Sequence, residues 1–195
     1  KFLVDTLGID EFRRLVMEER AVMEPEASWT SYLDDLTNKD EKPLRASGEN
    51  IVGADDPDFQ KWSETNLYQQ RQEGFVAVIL SLPLGDITAD QLRALSDIAQ
   101  KYTNETIRTT VEQNILLRWV SKSDVAAVYA ALKAAELVIP GAGTIVDVTS
   151  CPGTDTCKLG ISSSRGLAAQ LRTRLTEKSV QMDQAIKDLV IKVSG

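Results

Sequence analysis

The sequence predicts an α+β fold in which residues 71–150 form a four-stranded antiparallel sheet with two helices packed on one face. Three observations in this region lead to that prediction. Short apolar runs have the length of strands, two capping motifs each precede an amphipathic stretch, and a three-residue link separates two neighbouring runs. The elements follow one another in the order strand, helix, strand, strand, helix, strand.

The first predicted strand is the apolar run at residues 75–82, which ends at Pro83 and Gly85. A helix follows, because Thr88 and Gln91 have the spacing of a capping box. In such a box the threonine hydroxyl accepts from the backbone amide at Gln91 while the glutamine side chain reaches back. The apolar positions of this helix have helical spacing and are Leu92, Leu95, Ile98 and Ala99.

The second half of the region repeats the pattern. Strands are predicted at residues 106–110 and 114–120, and the short link between them indicates a hairpin. A serine cap, either Ser121 or Ser123, opens a second helix, and a fourth strand is predicted at residues 144–148. This order is the split βαβ, or ferredoxin-like βαββαβ, arrangement. The fold alone indicates no activity.

Two segments flank the predicted sheet. Residues 1–70 are predicted to hold one helix over 1–24 and then an extended segment. That segment is polar and irregular, but its aromatic residues predict packing rather than disorder; they are Trp29, Tyr32, Trp62 and Tyr68. Residues 151–195 are predicted to add a C-terminal helix and a strand.

Composition excludes several classes of function. The net charge of −7 and the pI of about 4.8 argue against a nucleic-acid-binding domain, because phosphate contacts need clustered Lys and Arg. The 195 residues include no histidine, which removes histidine-dependent nucleophilic catalysis, most zinc sites and histidine-ligated haem. No apolar run approaches the roughly 20 residues of a membrane helix. Two cysteines are too few for a disulfide scaffold, so we expect a cytoplasmic protein.

The two cysteines are the strongest chemical signal. Cys151 and Cys157 form a C-x₅-C motif directly after the predicted fourth strand. Pro152 and Gly153 permit an irregular turn that aims both sulfurs at one point, and the loop's own hydroxyl groups could donate to thiolate sulfur. Alternatively, both cysteines are small apolar residues near a strand end. Two thiolates do not complete a cubane cluster, which takes four.

Three stretches together resemble the nitrite/sulfite reductase family. They are residues 82–88 (LPLGDIT), residues 107–114 (IRTTVEQN), and the C-x₅-C motif with its continuation at 158–161 (KLGI). Each stretch alone is a weak signal, but the combination is specific. The opening helix is similar to the end of that family's preceding repeat. The last residues, 189–195, resemble the strand that leads to the family's second cysteine pair.

The resemblance implies an enzyme that carries out the six-electron reduction of sulfite to sulfide or of nitrite to ammonia. In this family siroheme iron binds the substrate, and a 4Fe–4S cluster is bridged to it by a cysteine of the second pair. Cys151 and Cys157 match the first pair and are expected to be cluster ligands. The second pair is expected after residue 195, in a longer protein of which this chain is an internal piece. We therefore expect the isolated chain to be inactive.

The resemblance also implies that the predicted hairpin faces the cofactors. Arg108 and Thr110 should share one face of their strand, with Gln113 and Asn114 at the turn, and all four are expected to bind cofactor. A guanidinium suits the siroheme carboxylates or an oxyanion substrate. Solvation of Arg108 and ordinary turn chemistry for the amides are the alternatives. The expected partners are nitrite or sulfite, ferredoxin or a flavoprotein as electron donor, and the remainder of the same chain.

Two other interpretations remain open. In the first, the chain is a stand-alone ferredoxin-like interaction module with structural or redox-active cysteines. In the second, the two cysteines form a metal site completed by Asp155 or by dimerisation, although without histidine such ligands suit zinc poorly. A second cysteine pair shortly after residue 195 would exclude the module.

Overall fold

The computed structural model describes residues 2–24, 26, 28, 41–178, 184–187 and 189–195. The chain divides into two compact units, Lys1–Asp40 and Glu41–Gly195. In the ranges described, no helix is long and apolar enough to cross a membrane. Two of the aromatic residues expected to pack, Trp29 and Tyr32, lie outside the described residues.

The first unit contains two described helices, α1 (Phe2–Leu7) and α2 (Ile9–Val22). The sequence predicted one helix over residues 1–24, and this prediction was wrong at Gly8. There the backbone turns to φ +80°, a left-handed conformation that glycine adopts readily and that interrupts the helical path.

The second unit includes a helix that the sequence analysis did not predict, α3 (Pro57–Asn66). Asp56 caps it by accepting from the amide of Asp58 at 3.0 Å, and a proline stands at its first position, where a missing N–H costs nothing. The helix buries Trp62, whose ring centroid lies 4.9 Å from that of Tyr129. Part of the segment predicted to be extended is therefore helical.

A four-stranded antiparallel sheet follows, with the strand order β1-β2-β4-β3. Its strands are β1 (Leu67–Gln69), β2 (Phe75–Leu80), β3 (Arg108–Thr109) and β4 (Ile115–Ser121). The central pair, β2 and β4, runs from Phe75 opposite Ser121 to Leu80 opposite Ile115. The α+β class and the antiparallel sheet are confirmed.

The fourth strand, however, is not the one predicted at residues 144–148. That stretch forms turns, in which the amide of Thr144 donates to Gly141 O at 3.1 Å and the amide of Asp147 donates to Thr144 O at 2.9 Å. The Asp147 side chain also accepts from the Gly143 amide at 2.9 Å. Local hydrogen bonds of this kind replace those of a strand ladder. The edge beside β2 is instead taken by β1, from before the predicted sheet.

Two helices pack on the sheet, α4 (Ala89–Tyr102) and α5 (Val125–Ala134). The predicted capping box opens α4, because Thr88 Oγ1 accepts from the Gln91 amide at 3.2 Å and Gln91 Oε1 accepts from the Thr88 amide at 3.0 Å. Apolar side chains of α3, α4 and α5 form one core with β2 and β4. Its largest fully buried members are Trp62, Tyr129, Leu80, Leu95, Leu117, Leu132 and Leu137.

The C-terminal part adds a helix and a two-stranded sheet. β5 (Thr149–Ser150) pairs in parallel with β6 (Lys192–Val193). Between these strands lie α6 (Ser164–Lys178) and α7 (Gln184–Lys187). Short 3-10 turns lie at Pro83–Gly85, Lys122–Asp124 and Gly153–Asp155. The C-terminal helix and strand of the predicted fold are therefore present.

Candidate functional site

The loop that carries the two cysteines is a tight turn that requires glycine. Cys151 directly follows β5, and a 3-10 turn leads to Cys157. Gly153 has φ +54°, and a Cβ there would lie 2.3 Å from Ser164 Oγ. Close packing continues at Gly160, where a Cβ would lie 2.6 Å from the carbonyl carbon of Gly153. The loop therefore folds back on itself and presses against the start of α6.

The two thiols have different surroundings, and neither forms a disulfide. Cys151 is half-buried, and its Sγ lies 3.3 Å from Ser164 Oγ. The backbone amide of Gly195 also donates to this sulfur, at 3.3 Å. Cys157 is exposed, and its backbone amide donates to Gly153 O at 2.9 Å. The loop thus holds the two thiols unbonded.

The surroundings of Cys151 favour its thiolate. The Ser164 hydroxyl is the largest cause of a lowered Cys151 pKa, followed by the backbone amides of Gly195 and Gly153, while partial burial opposes the shift. The thiolate is the form of cysteine that binds metal. Hydroxyl groups of the loop itself were expected near the sulfur, but the nearest hydroxyl, that of Ser164, belongs to α6, and it donates to Cys151 O at 2.8 Å.

Strand β6 brings residues 193–195 alongside Cys151. The Cys151 amide donates to Val193 O at 3.1 Å, which continues the ladder between β5 and β6. Gly195 then lies so close to Ser162 that a Cβ would stand 2.6 Å from the Ser162 carbonyl oxygen. The residues directly after β6 therefore lie beside the Cys151 sulfur.

Gln113, at the tip of the hairpin between β3 and β4, holds the strand that leads into the cysteine loop. Its Nε2 donates to Ser150 O at 2.8 Å, and its Oε1 accepts from the Ser150 amide at 3.3 Å. The side-chain amide thus pairs with both backbone groups of Ser150, as a neighbouring strand would. Gly85 packs tightly beneath it, since a Cβ on Gly85 would lie 3.2 Å from Gln113 Cβ.

Asn114 is buried beside Gln113 and ties the hairpin to the turn before β5. Its Oδ1 accepts from the Leu82 amide at 2.8 Å, and its Nδ2 donates to Asp147 Oδ2 at 2.7 Å. Asp147 is itself buried and also accepts from Ser81 Oγ at 3.3 Å. Such donors are required because an unpaired carboxylate away from water is costly.

Arg172 of α6 supplies the positive charge of this buried cluster. Its Nη1 lies 3.8 Å from Asp147 Oδ1 and donates to Val146 O at 3.3 Å, and its Nη2 donates to Ser81 Oγ at 3.3 Å. Burial lowers the Arg172 pKa, and the Asp147 carboxylate opposes that shift. Charge as well as packing therefore connects α6 to the turn before β5.

Arg108 and Thr110 do not reach the cysteine loop through any contact among the described residues. Arg108, on the edge strand β3, forms an ion pair with Glu41, and Arg118 binds the same carboxylate at 2.6 Å. About half of the Arg108 side chain remains exposed (52%), so it is open to a further ligand. Thr110 serves the hairpin itself, because its Oγ1 accepts from the Asn114 amide at 3.3 Å. Of the four hairpin residues, the two amides at the turn contact the segment that leads into the loop.

The sequence did not reveal Asp147, Ser164 or Arg172 as members of this site, nor Arg165 in the first turn of α6, whose Nε lies 3.3 Å from Asp155 Oδ2. A run of serines at 162–164 before an amphipathic stretch is a helix-start signal that could have indicated Ser164. A lone carboxylate in an apolar run, as at Asp147, predicts a buried polar partner. No sequence signal indicates Arg165, because its partners are distant along the chain.

The residues present fit half of a cluster site. Two thiols in one glycine-dependent loop, one of them in surroundings that favour thiolate, match the donors of iron–sulfur clusters. Within the described ranges, no group of three or more His, Cys, Asp or Glu side chains is arranged to hold a metal ion. Asp155, which one interpretation made a third ligand, instead lies 3.3 Å from Arg165.

Comparisons with known proteins agree with these observations. A sequence model described as the nitrite/sulfite reductase ferredoxin-like half domain matches residues 68–135. The chain is 31% identical over 145 residues to an NAD(P)H nitrite reductase of Emericella nidulans, covering 69% of this chain and 12% of that protein. It is 26% identical over 144 residues to the chloroplastic ferredoxin–nitrite reductase of Spinacia oleracea, covering 73% of this chain and 24% of that protein.

A solved structure shares the fold. The NirA protein of Mycobacterium tuberculosis matches 98% of this chain and 31% of its own chain, with a TM-score of 0.52 at 18% identity. The chain thus spans less than a third of the length of each of these proteins, from 12% to 31%. The half-domain match identifies residues 68–135 as the ferredoxin-like half domain of the nitrite/sulfite reductase family, and the chain as a whole is similar in sequence to nitrite reductases.

Proposed function

We propose that the chain is the part of a nitrite reductase that supplies two of the four ligands of a 4Fe–4S cluster, Cys151 and Cys157. The observation that carries this proposal is the environment of Cys151. Its sulfur accepts from the Gly195 amide at 3.3 Å and lies 3.3 Å from Ser164 Oγ, in a loop that needs glycine to form. Hydrogen-bond donors around thiolates tune the potential of iron–sulfur clusters, whereas a cysteine that merely fills apolar space needs none.

The other two ligands are proposed to follow β6 in the full-length protein. Gly195 donates to the Cys151 sulfur, so a cysteine pair shortly after it would lie beside the first pair. The relatives extend well beyond the part that this chain matches. The second cysteine pair and the basic residues that bind substrate are therefore assigned to the rest of the protein.

Siroheme is proposed to bind near the hairpin of the half domain. When bound, siroheme and the cluster supply the iron that takes the substrate and the route for its electrons. Arg108 is proposed to offer its exposed guanidinium to a siroheme carboxylate and to share or release Glu41. Thr110, directly after β3, is proposed to lie beside it. Gln113 and Asn114 are proposed to border the cofactor while they hold the segment before the cysteine loop.

Nitrite reduction to ammonia is the activity proposed for the full-length enzyme. Support comes from the relatives, which are nitrite reductases that use either NAD(P)H or ferredoxin. Ferredoxin or a flavoprotein is accordingly the proposed electron donor, in the cytoplasm. Sulfite reduction to sulfide is the second candidate, because the matching half domain is common to both kinds of enzyme. The isolated chain is proposed to be inactive, since it holds two cysteines where a cubane takes four.

Cysteine substitutions in the full-length protein test this proposal. The wild-type protein should contain siroheme and a 4Fe–4S cluster, measured as a visible absorption band, iron, acid-labile sulfide and an EPR signal after reduction. Cys151→Ser and Cys157→Ser should each lose the signal and most of the cluster iron. Thr156→Ala, at an exposed position in the same loop, should retain both.

The iron content and the reduction rates distinguish between the candidate functions. Full iron content in both cysteine variants, or a wild-type protein without iron and siroheme, would reject the cluster and favour the stand-alone module. Reduction rates measured with nitrite and with sulfite in parallel decide the substrate. A higher kcat/KM for sulfite would replace the proposed substrate and leave the cluster assignment intact.

A further inference from the structure

A single guanidinium joins the cysteine loop to the half domain. Arg165, in the first turn of α6, donates from Nη1 to Leu84 O at 3.1 Å and from Nη2 to Asp86 Oδ2 at 2.5 Å. Its Nε lies 3.3 Å from Asp155 Oδ2. Leu84 and Asp86 belong to the turn after β2, whereas Asp155 stands between the two cysteines. All three nitrogens of one side chain are thus used to connect two parts of the chain.

The cysteine loop has few other polar connections. The backbone hydrogen bonds of residues 152–160 join them to one another, to Ser162 or, from the Gly153 amide, to the Cys151 sulfur; the Thr154 amide, for example, donates to Ser162 O at 3.1 Å. Among the residues that the structure describes, Arg165 is therefore the polar link between the half domain and the side of the loop that carries Cys157.

Cys151 is held independently of this link. Its backbone continues the ladder between β5 and β6, and its sulfur contacts Ser164. The residue before it is paired with Gln113. Loss of the Arg165 contacts should therefore displace Cys157 and leave Cys151 in place.

We propose that Arg165 is a positioning residue for the iron–sulfur cluster, because it clamps Asp155 against the half domain and so sets where the loop places Cys157. This inference rests on the proposed function, since a positioned ligand matters only where a cluster is bound. Arginine suits the role because its planar group addresses a carbonyl and two carboxylates at once, in fixed directions. A lysine ammonium lacks that fork geometry.

Variants of the full-length, cluster-loaded protein test the inference. Asp155→Asn weakens the contact to the loop and leaves the Arg165 bonds to Leu84 and Asp86 in place, whereas Arg165→Gln removes all three. Both should release cluster iron to a chelator about two- to fivefold faster than wild type, the range for one exposed ion pair. The double variant should be no faster than Arg165→Gln, because both changes act through one contact. Arg174→Gln, an exposed position on the same helix, should match wild type.

The EPR spectrum of the reduced cluster distinguishes positioning from a general loss of fold. Its g-values should shift in Asp155→Asn, while the thermal unfolding midpoint stays that of Arg174→Gln. Asp155→Asn also keeps the test decisive if Arg165→Gln does not fold. A wild-type iron release rate and spectrum in Asp155→Asn would overturn the inference while the proposed function stands. A wild-type protein without a cluster would overturn the proposed function and this inference together.

Discussion

Asn114→Ala removes a buried amide on which two separate segments depend. The Asn114 side chain accepts from the Leu82 amide at 2.8 Å and donates to Asp147 at 2.7 Å. Alanine leaves the Leu82 N–H without its acceptor and Asp147 with one donor fewer. Both residues are buried, so water cannot readily take the place of the lost amide.

The free energy of unfolding should fall by about 3–5 kcal/mol. A buried amide left unpaired costs about 1–3 kcal/mol, and a lost hydrogen bond to a charged group about 1.5–3 kcal/mol. The upper end of the sum is not expected, because Asp147 keeps the Gly143 amide at 2.9 Å and Ser81 Oγ at 3.3 Å. A loss of this size is a large part of the roughly 5–15 kcal/mol that stabilises a typical domain.

Urea unfolding of the 195-residue chain, followed by circular dichroism and tryptophan fluorescence, measures this loss. Gln60→Ala is the control, because Gln60 is exposed on α3 and bonds to its neighbour Glu64 at 3.1 Å. Its effect should stay within about 0.5 kcal/mol. A loss below about 1 kcal/mol for Asn114→Ala would refute the reasoning, since it would mean that water satisfies the groups left unpaired.

Asn114→Asp distinguishes the hydrogen bond to Asp147 from the one with Leu82, because only the loss of the bond to Asp147 depends on pH. The new carboxylate can still accept from the Leu82 amide, but it can donate to Asp147 only when protonated. Two carboxyl groups at this distance share a proton in the folded state, which raises the pKa of the pair above its value in the unfolded chain. The folded state then binds more protons, so the variant should be least stable at neutral pH and regain stability as the pH falls toward about 5. A destabilisation independent of pH would contradict the proposed contact with Asp147.

Two further substitutions address the cysteine loop. Gly153→Ala should prevent the loop from adopting its native conformation, because φ at this position is +54° and the new Cβ would lie 2.3 Å from Ser164 Oγ. The full-length variant should lack cluster iron yet keep the circular dichroism spectrum of the wild type. A normal iron content would count against this reasoning. Ser164→Ala should raise the Cys151 pKa, because the hydroxyl is the largest cause of its lowering. The pH profile of Cys151 alkylation in the cluster-free chain, resolved by peptide mapping, should then move to higher pH, whereas Thr156→Ala should leave it unmoved; an unmoved profile in both would exclude the hydroxyl as the cause.

The correctly predicted parts of the fold carry local signals. The capping box at Thr88 specifies the start of α4 whatever the rest of the chain does, because its donors and acceptors lie within four residues. The apolar runs that became β2 and β4 are bounded by turn residues and are long enough to be recognised alone. Signals of this kind need no knowledge of distant partners.

The missed elements depend on partners far along the chain or on weak periodicity. β1 has three residues, none of them fully buried, and it is a strand because Leu67 pairs opposite Val78. α3 carries a start signal at Asp56-Pro57, but Phe59 and Trp62 make a stripe of a single turn. Sequence patterns cannot reveal the pairing that makes β1 a strand. The start of α3 can be predicted only if its capping signal is given more weight than its short apolar stripe.

The cysteine loop could be singled out from the sequence, but its connections to the rest of the fold could not. The cysteine spacing and the family resemblance indicated Cys151 and Cys157, and the structure shows them in one loop with free thiols. The partners of that loop come from segments tens of residues away, such as Gln113, which is 37 residues from Ser150. Such pairings follow from the packed fold rather than from any local pattern.

The three stretches that resemble the family meet in the structure, which explains why their combination is specific while each alone is weak. The turn after β2 offers Leu84 and Asp86 to Arg165, which also reaches the cysteine loop. The hairpin offers Gln113 to the strand before that loop. Taken singly, each stretch encodes an ordinary turn. On the proposed function, the hairpin amide serves the cluster without touching it, because fixing the backbone at Ser150 fixes where the next residue, a cluster ligand, begins.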